Sequence, residues 1–288
     1  MDRVDYAEPR SVEEVLALLD KHGEDAKILA GGQSLLVMLR DRLVRPRVLV
    51  GLQGVAGLNR IIANGELRVG PMATHTAVQT HAAVRDRWGL LAQAELAVSA
   101  PQIRNRGTLV GNVAHGFPTA DPPAALIALG AAAHIRGSGG ERSVPIEEFF
   151  VGFMQTVLAP TELLAGLVIP AQPEGSVGAY VKYAMRPLDF SIVGVAARVT
   201  LGADGRCSEA RIGLNGAGPT PLRARRAEAA LTGRRLAMDP EAIDDAAEIA
   251  AADSDPVGDV DGSAEYKRKM VRVFVGRALR GAVGAPVA

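Results

Sequence analysis

Two glycine-rich segments hold the residues whose types and spacing could bind a ligand. Residues 30–34 read AGGQS at the end of an apolar run, and residues 108–112 read TLVGN. Successive small residues can direct consecutive backbone N–H groups into one concavity, which binds phosphate without a cationic side chain. Asp121, a little further along, adds a carboxylate that can accept hydrogen bonds from hydroxyl groups. These residue types suit a cofactor that carries both phosphate and hydroxyl groups.

Each segment also has a purely structural interpretation. Residues 30–34 could form a tight strand-to-helix turn, since they match neither the G-x-G-x-x-G fingerprint nor the Walker A pattern. Residues 106–123 could form a strand, a turn and a core helix, in which Asp121 caps the helix and Pro122 occupies its first position. Either segment alone leaves both interpretations open.

Three ionisable residues flank the second segment. Arg104 and Arg106 could face a phosphate, but we interpret them as solvated loop cations. His115 lies in the following loop, and a lone histidine is more often structural than catalytic. The chain has five histidines and no H-x-x-x-H or H-E-x-x-H pair, so the sequence indicates no metal site. We identify no catalytic residue either.

The composition narrows the class of protein. A length of 288 residues with 48% apolar residues suggests one large or two moderate domains. Lys and Arg total 32, as do Asp and Glu, so charge gives no argument for nucleic acid or an anionic membrane as a partner. The single Cys207 excludes an internal disulfide framework and an all-cysteine zinc or iron–sulfur site in this chain. Without a signal peptide or an apolar run near 18 residues, we expect a soluble, cytoplasmic protein.

The order of elements predicts two kinds of domain. A capping box predicts a helix over 11–22, and buried strands at 28–30 and 48–52 complete a β-α-β start. Residues 170–176, with two prolines among small and polar residues, mark the domain boundary. After this boundary the pattern predicts three strands and then three helices, at 179–184, 193–201, 208–214, 221–232, 240–252 and 263–281. Strands followed by helices are typical of an α+β domain with an antiparallel sheet.

Taken together, these motifs resemble one family. The runs AGGQSL at 30–35, TLVGN at 108–112 and DPPAAL at 121–126 are similar to the FAD-binding medium subunit of the molybdenum hydroxylases. That family includes carbon monoxide dehydrogenase and xanthine dehydrogenase-like enzymes, and the resemblance covers essentially the whole chain. The resemblance implies an α+β (mixed α/β) fold with two domains. The first would be a two-part FAD-binding domain of the vanillyl-alcohol-oxidase (PCMH) type. The second would be an α+β domain of the carbon monoxide dehydrogenase flavoprotein type, with an antiparallel sheet and helices. The implied bounds are 1–172, with subdomains of about 1–55 and 56–172, and 177–288.

The resemblance also implies a non-covalent FAD site. Residues 30–34 and 108–112 would cradle the pyrophosphate, and Asp121 would bind the ribityl hydroxyls. Lys182 would stabilise the anionic reduced ring, and Phe190 would cover one of its faces. The residues expected to contact FAD are Leu29, Ala30, Gly31, Gly32, Gln33, Ser34, Leu35, Thr108, Leu109, Val110, Gly111, Asn112, Asp121, Leu164, Lys182 and Phe190.

Two positions depart from the family pattern, because many relatives have histidine in place of Gln33 and glycine in place of Val110.

The family scheme implies a small partner subunit with [2Fe–2S] clusters and a large partner with a molybdenum–pterin centre, assembled as a dimer of heterotrimers. Electrons would leave the FAD for an external acceptor such as a quinone or a cytochrome. The substrate of such a complex could be carbon monoxide, an aldehyde, a purine or an N-heterocycle.

Two other functions stay open on sequence grounds. The chain could be a self-contained FAD oxidoreductase of the same fold, similar to an enolpyruvyl sugar-nucleotide reductase, which would turn over NAD(P)H alone. It could also be a flavin-free structural module in which the glycine turns have only a structural role. Detection of bound flavin would distinguish the flavin-free module from the two kinds of flavoprotein. Activity of the single chain would then distinguish the self-contained oxidoreductase from the electron-transfer subunit.

Overall fold

The computed structural model describes residues 4–284, and it begins with a small α/β unit. The unit consists of β1 (Asp5–Ala7), α1 (Val12–His22), β2 (Ala26–Leu29), α2 (Leu35–Arg40) and β3 (Val48–Gly51). The three strands form a parallel sheet in the order β1-β3-β2, as the β-α-β pattern predicts. The apolar side of α1 is buried against this sheet, and the side chain of Ser11 caps the helix by accepting from the Glu14 N–H.

A second, antiparallel sheet and several short helices make up the next part of the chain. Its strands pair in the order β4-β5-β10-β6-β7. A separate two-stranded hairpin, β8-β9, lies beside it. The elements in chain order are β4 (Ile61–Asn64), β5 (Glu66–Val69), α3 (His75–Thr80), α4 (Ala82–Arg87), α5 (Gly89–Ala97), α6 (Pro101–Arg104), α7 (Leu109–His115), α8 (Asp121–Leu129), β6 (Ala132–Gly137), β7 (Gly140–Pro145), α9 (Ile146–Phe149), β8 (Phe150–Gly152), β9 (Gln155–Thr156) and β10 (Leu163–Ile169).

The C-terminal part is a four-stranded antiparallel sheet with helices. Its strands pair in the order β11-β12-β13-β14. The elements are β11 (Ser176–Tyr183), β12 (Val193–Leu201), β13 (Cys207–Asn215), β14 (Leu222–Arg223), α10 (Arg225–Leu231), α11 (Pro240–Asp253) and α12 (Ala264–Val283). The predicted fold class is therefore confirmed. The predicted outer domain limits at residues 1 and 288 lie outside the described residues.

Helix α8 packs the second part of the chain against the C-terminal sheet. All nine of its residues are buried, and Ala196 of β12 belongs to the same apolar cluster. The side chains of β12 that alternate with Ala196 pack instead against α11 and α12. A Cβ atom on Gly213 of β13 would lie 2.1 Å from the Ala124 carbonyl oxygen, so glycine is required where the sheet meets the helix. The C-terminal sheet is thus covered on both faces, by α8 on one side and by α11 and α12 on the other. The start of α8 lies where this sheet meets the second part of the chain.

Most predicted elements are present, with two corrections. The predicted helix at 221–232 is wrong in its first residues, because Leu222 and Arg223 pair with β13 and the helix starts only at Arg225. The alternative of a strand at the start of 106–123 is also wrong, because Thr108 caps the short helix α7. Across residues 4–284, no helix has the length and apolar character needed to span a membrane.

Candidate functional site

The two glycine-rich segments meet in space. A Cβ atom added to Gly31 would lie 2.1 Å from the Arg106 carbonyl oxygen and 2.8 Å from the Gly107 Cα. No side chain fits in that gap, so glycine at position 31 allows the backbones of the two segments to approach. The position that a Cβ of Gly111 would take is also 3.9 Å from the Ala30 Cβ. The structure therefore brings together two turns that are far apart in the sequence.

The first turn presents its backbone donors at the start of α2. Gly32 has a φ of +74°, a left-handed conformation that glycine adopts without strain. Among the described residues, no protein acceptor is found for the N–H groups of Gly32, Gln33 and Ser34. The Gln33 side chain donates to the Gly31 carbonyl oxygen at 3.3 Å, so it stabilises the turn itself. Free successive N–H groups at a helix start fit a phosphate ligand.

Gln53 supports this turn from behind, a role that the sequence did not indicate. Its amide nitrogen donates to the Ala30 carbonyl oxygen at 3.1 Å. The Tyr6 hydroxyl donates in turn to the Gln53 carbonyl oxygen at 3.2 Å. The Ala30 carbonyl oxygen therefore already accepts a hydrogen bond from within the protein.

The second turn is the start of α7. The Thr108 hydroxyl accepts from the Gly111 N–H at 3.0 Å, which caps the helix. The side chains of Leu109 and Val110 are buried in the core, so only their backbone could contact a ligand. The Asn112 Oδ1 atom is buried without a hydrogen-bond partner in the described part of the chain. A buried acceptor left in this way fits a ligand that brings a donor.

Asp121 is the centre of a buried network. Its carboxylate oxygens accept from the Tyr180 hydroxyl at 2.6 Å and from the Lys182 ammonium at 2.9 Å. Lys182 also donates to the Ala97 carbonyl oxygen at 3.0 Å. The Asn215 amide donates to the Asp121 backbone carbonyl at 3.0 Å. The network links α8 to two strands of the C-terminal sheet.

This network corrects the predicted capping role of Asp121. Ala120 occupies the N-cap position of α8, and within residues 4–284 no side-chain hydrogen bond caps that helix. Burial raises the pKa of Asp121, while the Lys182 ammonium and the Tyr180 hydroxyl act in the opposite direction. Burial beside this carboxylate also raises the pKa of Tyr180, which stays protonated as a donor. The carboxylate is thus held in a fixed orientation.

A small cleft opens beside this network. Its lining residues are Val98, Ser99, Asn112, Ala120, Asp121, Leu188, Asp189 and Phe190. The cleft has a volume of about 40 Å³, which is room for a few water-sized groups only. Phe190 at its mouth is 62% exposed and packs on Phe117 with 4.8 Å between ring centroids. A flat aromatic ligand would therefore lie across the mouth of the cleft and not inside it.

The remaining expected contact residues are divided between core and surface. Leu164 is buried in the main apolar cluster together with Leu109 and Val110. Leu29 and Leu35 are half-buried on either side of the first turn. The structure thus places Leu164 behind the second turn, where it supports the backbone.

Several residues near the site were missed or misinterpreted from sequence. Tyr180 lies two residues before Lys182 on β11, and this spacing could have identified it because both side chains share one face of the strand. The interpretation of Arg104 as a solvated cation is wrong, because its guanidinium donates to two backbone carbonyls. His75 and Glu95 form a buried pair with 2.5 Å between Nδ1 and Oε2, for which the sequence carried no signal.

His115 has a packing role that is consistent with its structural interpretation. Its ring stacks on Phe117 with 6.0 Å between the centroids. Burial lowers the pKa of His115, so its ring is held neutral near pH 7. Between residues 4 and 284, no three His, Cys, Asp or Glu side chains are grouped so that they could hold a metal ion.

The family follows from comparison with known proteins. Residues 2–172 match the family described as the FAD binding domain in molybdopterin dehydrogenase, and residues 178–282 match the C-terminal domain of the CO dehydrogenase flavoprotein. The chain belongs to this flavoprotein family. The predicted family and its FAD cofactor are therefore confirmed, and the flavin-free alternative finds no support.

Relatives of this flavoprotein align along nearly its whole length. The chain is 37% identical over 276 residues to the 6-hydroxypseudooxynicotine dehydrogenase complex subunit alpha of Paenarthrobacter nicotinovorans, covering 96% of this chain and 93% of that protein. It is 37% identical over 281 residues to the carbon monoxide dehydrogenase medium chain of Hydrogenophaga pseudoflava, covering 97% of each.

Solved structures of the family have the same fold. Carbon monoxide dehydrogenase from Hydrogenophaga pseudoflava superposes with a TM-score of 0.94 at 37% identity, covering 98% of both chains. Quinoline 2-oxidoreductase from Pseudomonas putida 86 gives a TM-score of 0.91 at 34% identity, covering 98% of this chain and 97% of that one. The flavoprotein is thus an oxidoreductase subunit of the molybdenum hydroxylase family.

Proposed function

We propose that the chain is the electron-transfer subunit of a heterotrimeric molybdenum-containing hydroxylase. In this proposal it receives electrons from [2Fe–2S] clusters of a small subunit, while a large molybdenum–pterin subunit oxidises the substrate. The names of its relatives as a medium chain and as a subunit of a complex support the existence of partners. We place the assembly, a dimer of heterotrimers, in the cytoplasm, with a quinone or a cytochrome as the external acceptor.

The observation that carries the proposal is the meeting of the two glycine turns beside a buried Lys–Asp pair. We place the FAD diphosphate between the two turns, because the successive backbone N–H groups of Gly32, Gln33 and Ser34 are free to donate and residues 108–112 lie against this first turn. The ribityl chain would follow towards Asp121, and Leu164 would support the turn from the core. FAD supplies the chemistry when bound, since it accepts single electrons and stores two of them.

The residues of this chain would position that cofactor and adjust its charge. Lys182 brings one buried positive charge to the site, which favours extra negative charge on a neighbouring ring. Asp121 offsets part of that charge and, held by Tyr180, could accept from the ribityl hydroxyls with its remaining lone pairs. Phe190 is exposed at the mouth of the cleft, where its ring could cover one face of a flavin.

We further propose the domain limits that this placement requires. The FAD-binding domain would occupy residues 1–172, with subdomains of about 1–55 and 56–172. The C-terminal domain would occupy 177–288. The first turn would then come from one subdomain and the second turn from the other, and the C-terminal domain would supply Lys182 and Phe190.

Purification of the native complex through a tag on this chain tests the proposal. We expect an iron–sulfur subunit and a molybdenum subunit to co-purify, together with an absorption band near ~450 nm from oxidised flavin. The single chain loaded with FAD should not turn over NAD(P)H. A flavin-loaded chain that purifies alone and turns over NAD(P)H would instead support the self-contained oxidoreductase.

A further inference from the structure

One wall of the cleft has a strained backbone. Ser99 lies between α5 and α6 and has a φ of +35°, in the left-handed region that residues with a Cβ atom rarely adopt. Such a conformation persists only where the surrounding structure imposes it, and it is enriched at ligand sites. Ser99 lines the cleft together with Asp121 and Phe190. The strain is therefore located where a ligand would touch the protein.

Two cations hold this wall through its carbonyl groups. A single nitrogen of Arg104, Nη1, donates to the Val98 carbonyl oxygen at 2.9 Å and to the Ser99 carbonyl oxygen at 2.6 Å. The preceding carbonyl, that of Ala97, accepts from Lys182. Three successive carbonyl oxygens, at and just after the end of α5, thus each accept a hydrogen bond from a positively charged side chain. Charge-assisted bonds of this kind are the strong ones.

We propose that Arg104 is a positioning residue for the flavin. It imposes the left-handed conformation of Ser99, and that conformation sets the wall against which the flavin ring lies. The inference rests on the proposed placement of FAD, because the cleft beside Asp121 must be the flavin site. It predicts that the cost of removing Arg104 depends on which residue occupies position 99.

A pair of substitutions separates positioning from general stability. In Arg104→Met the two bonds are lost and Ser99 can relax to negative φ, which moves the wall. In Ser99→Gly the left-handed conformation carries no steric penalty, so Arg104 is less needed. The measurements are the FAD dissociation constant of the full chain, the absorption maxima of the bound flavin, and the thermal unfolding midpoint without FAD. Arg85→Met, an exposed arginine on α4, is the matched control.

We expect Arg104→Met to weaken FAD binding about tenfold, which corresponds to about 1.4 kcal/mol. The flavin absorption maxima should shift in the same variant. Arg85→Met should bind within about twofold of the unmodified chain, and Ser99→Gly is the single-variant reference for the double variant. The double variant Ser99→Gly/Arg104→Met should recover at least half of the loss on a logarithmic scale, because glycine adopts the required conformation unaided.

Two results would overturn the inference. One is Arg104→Met binding FAD as the unmodified chain does, even if its unfolding midpoint is lower. The other is a double variant that binds as weakly as Arg104→Met. If Arg104→Met does not fold, Arg104→Gln replaces it, because its shorter, uncharged side chain cannot keep both bonds, and an affinity equal to that of the unmodified chain would count against the inference. Failure of the proposed function itself would be recognised separately, since the unmodified chain would then show no flavin band.

Discussion

Replacing Lys182 by methionine removes one charge from a buried pair and keeps most of the side-chain volume. Lys182 and Asp121 have only 11% and 5% of their side-chain surface exposed, so water compensates little for the lost ammonium. The Tyr180 hydroxyl would continue to donate to one carboxylate oxygen. The Ala97 carbonyl would lose its bond to Lys182 as well. The variant thus leaves a buried carboxylate without its counter-charge and one carbonyl oxygen without its donor.

The expected loss in the free energy of unfolding is about 3–5 kcal/mol at pH 8, the usual cost of breaking a buried pair from one side. The loss should be smaller at low pH. Burial already raises the pKa of Asp121, and without the ammonium it rises further. A carboxyl whose pKa is higher in the folded state binds more protons there, so stability falls as pH increases from its unfolded pKa to its folded pKa. The full penalty applies only above the folded pKa.

Urea unfolding of the flavin-free chain at pH 5 and pH 8 measures both effects. Lys27→Met, an exposed lysine on β2, is the matched control and should change stability by less than about 0.5 kcal/mol. In the background of Asp121→Asn, Lys182→Met should cost far less, because no buried charge is left behind. A loss below about 1 kcal/mol at pH 8, or the same loss in both backgrounds, would refute the reasoning.

Three further predictions concern the turns and two partly or fully buried residues. Gly31→Ala should weaken FAD binding at least about tenfold and destabilise the chain by about 1–3 kcal/mol, because its Cβ would overlap the Arg106 carbonyl, whereas Gly139→Ala meets open space. Cys207 should resist iodoacetamide in the folded chain at pH 8, because burial raises its thiol pKa to about 11. The lowered pKa of His115 should make stability fall as pH drops below about 6.5, and His115→Gln should reduce that fall in thermal unfolding.

Each of these has a clear contrary result. Equal FAD affinity in the alanine variants of Gly31 and Gly139 would mean that close contact between the turns is not needed. Stoichiometric labelling of Cys207 under folding conditions would contradict its inert environment. An unchanged pH profile in His115→Gln would show that another group causes the acid sensitivity.

The sequence predicted the long apolar elements well, because their patterns are local. The nine-residue run Val193–Leu201 was predicted with the observed bounds, since it is continuous and both of its faces are buried. Short strands were harder. Leu222 and Arg223 look helical in isolation, and only pairing with β13 makes them a strand. Strand β7, Gly140–Pro145, was missed because most of its residues are exposed and polar.

The candidate site was predicted in part for the same reason. The glycine turns could be recognised because their composition is local. The pairing of Asp121 with Tyr180 and Lys182 could not be recognised, since these residues follow it by 59 and 61 positions. An Asp before Pro is typical of a helix cap, yet here the buried ammonium and hydroxyl compete more strongly for the carboxylate. The bonds of Arg104 to a strained loop likewise depend on tertiary structure.

A crystal structure of the chain loaded with FAD tests the central claim most directly. We predict that the diphosphate lies between residues 30–34 and 108–112, within hydrogen-bond distance of the free backbone N–H groups of Gly32, Gln33 and Ser34. The flavin ring should lie at the mouth of the cleft beside Asp121 and Phe190. A diphosphate bound elsewhere, with both turns making no contact to it, would contradict the account.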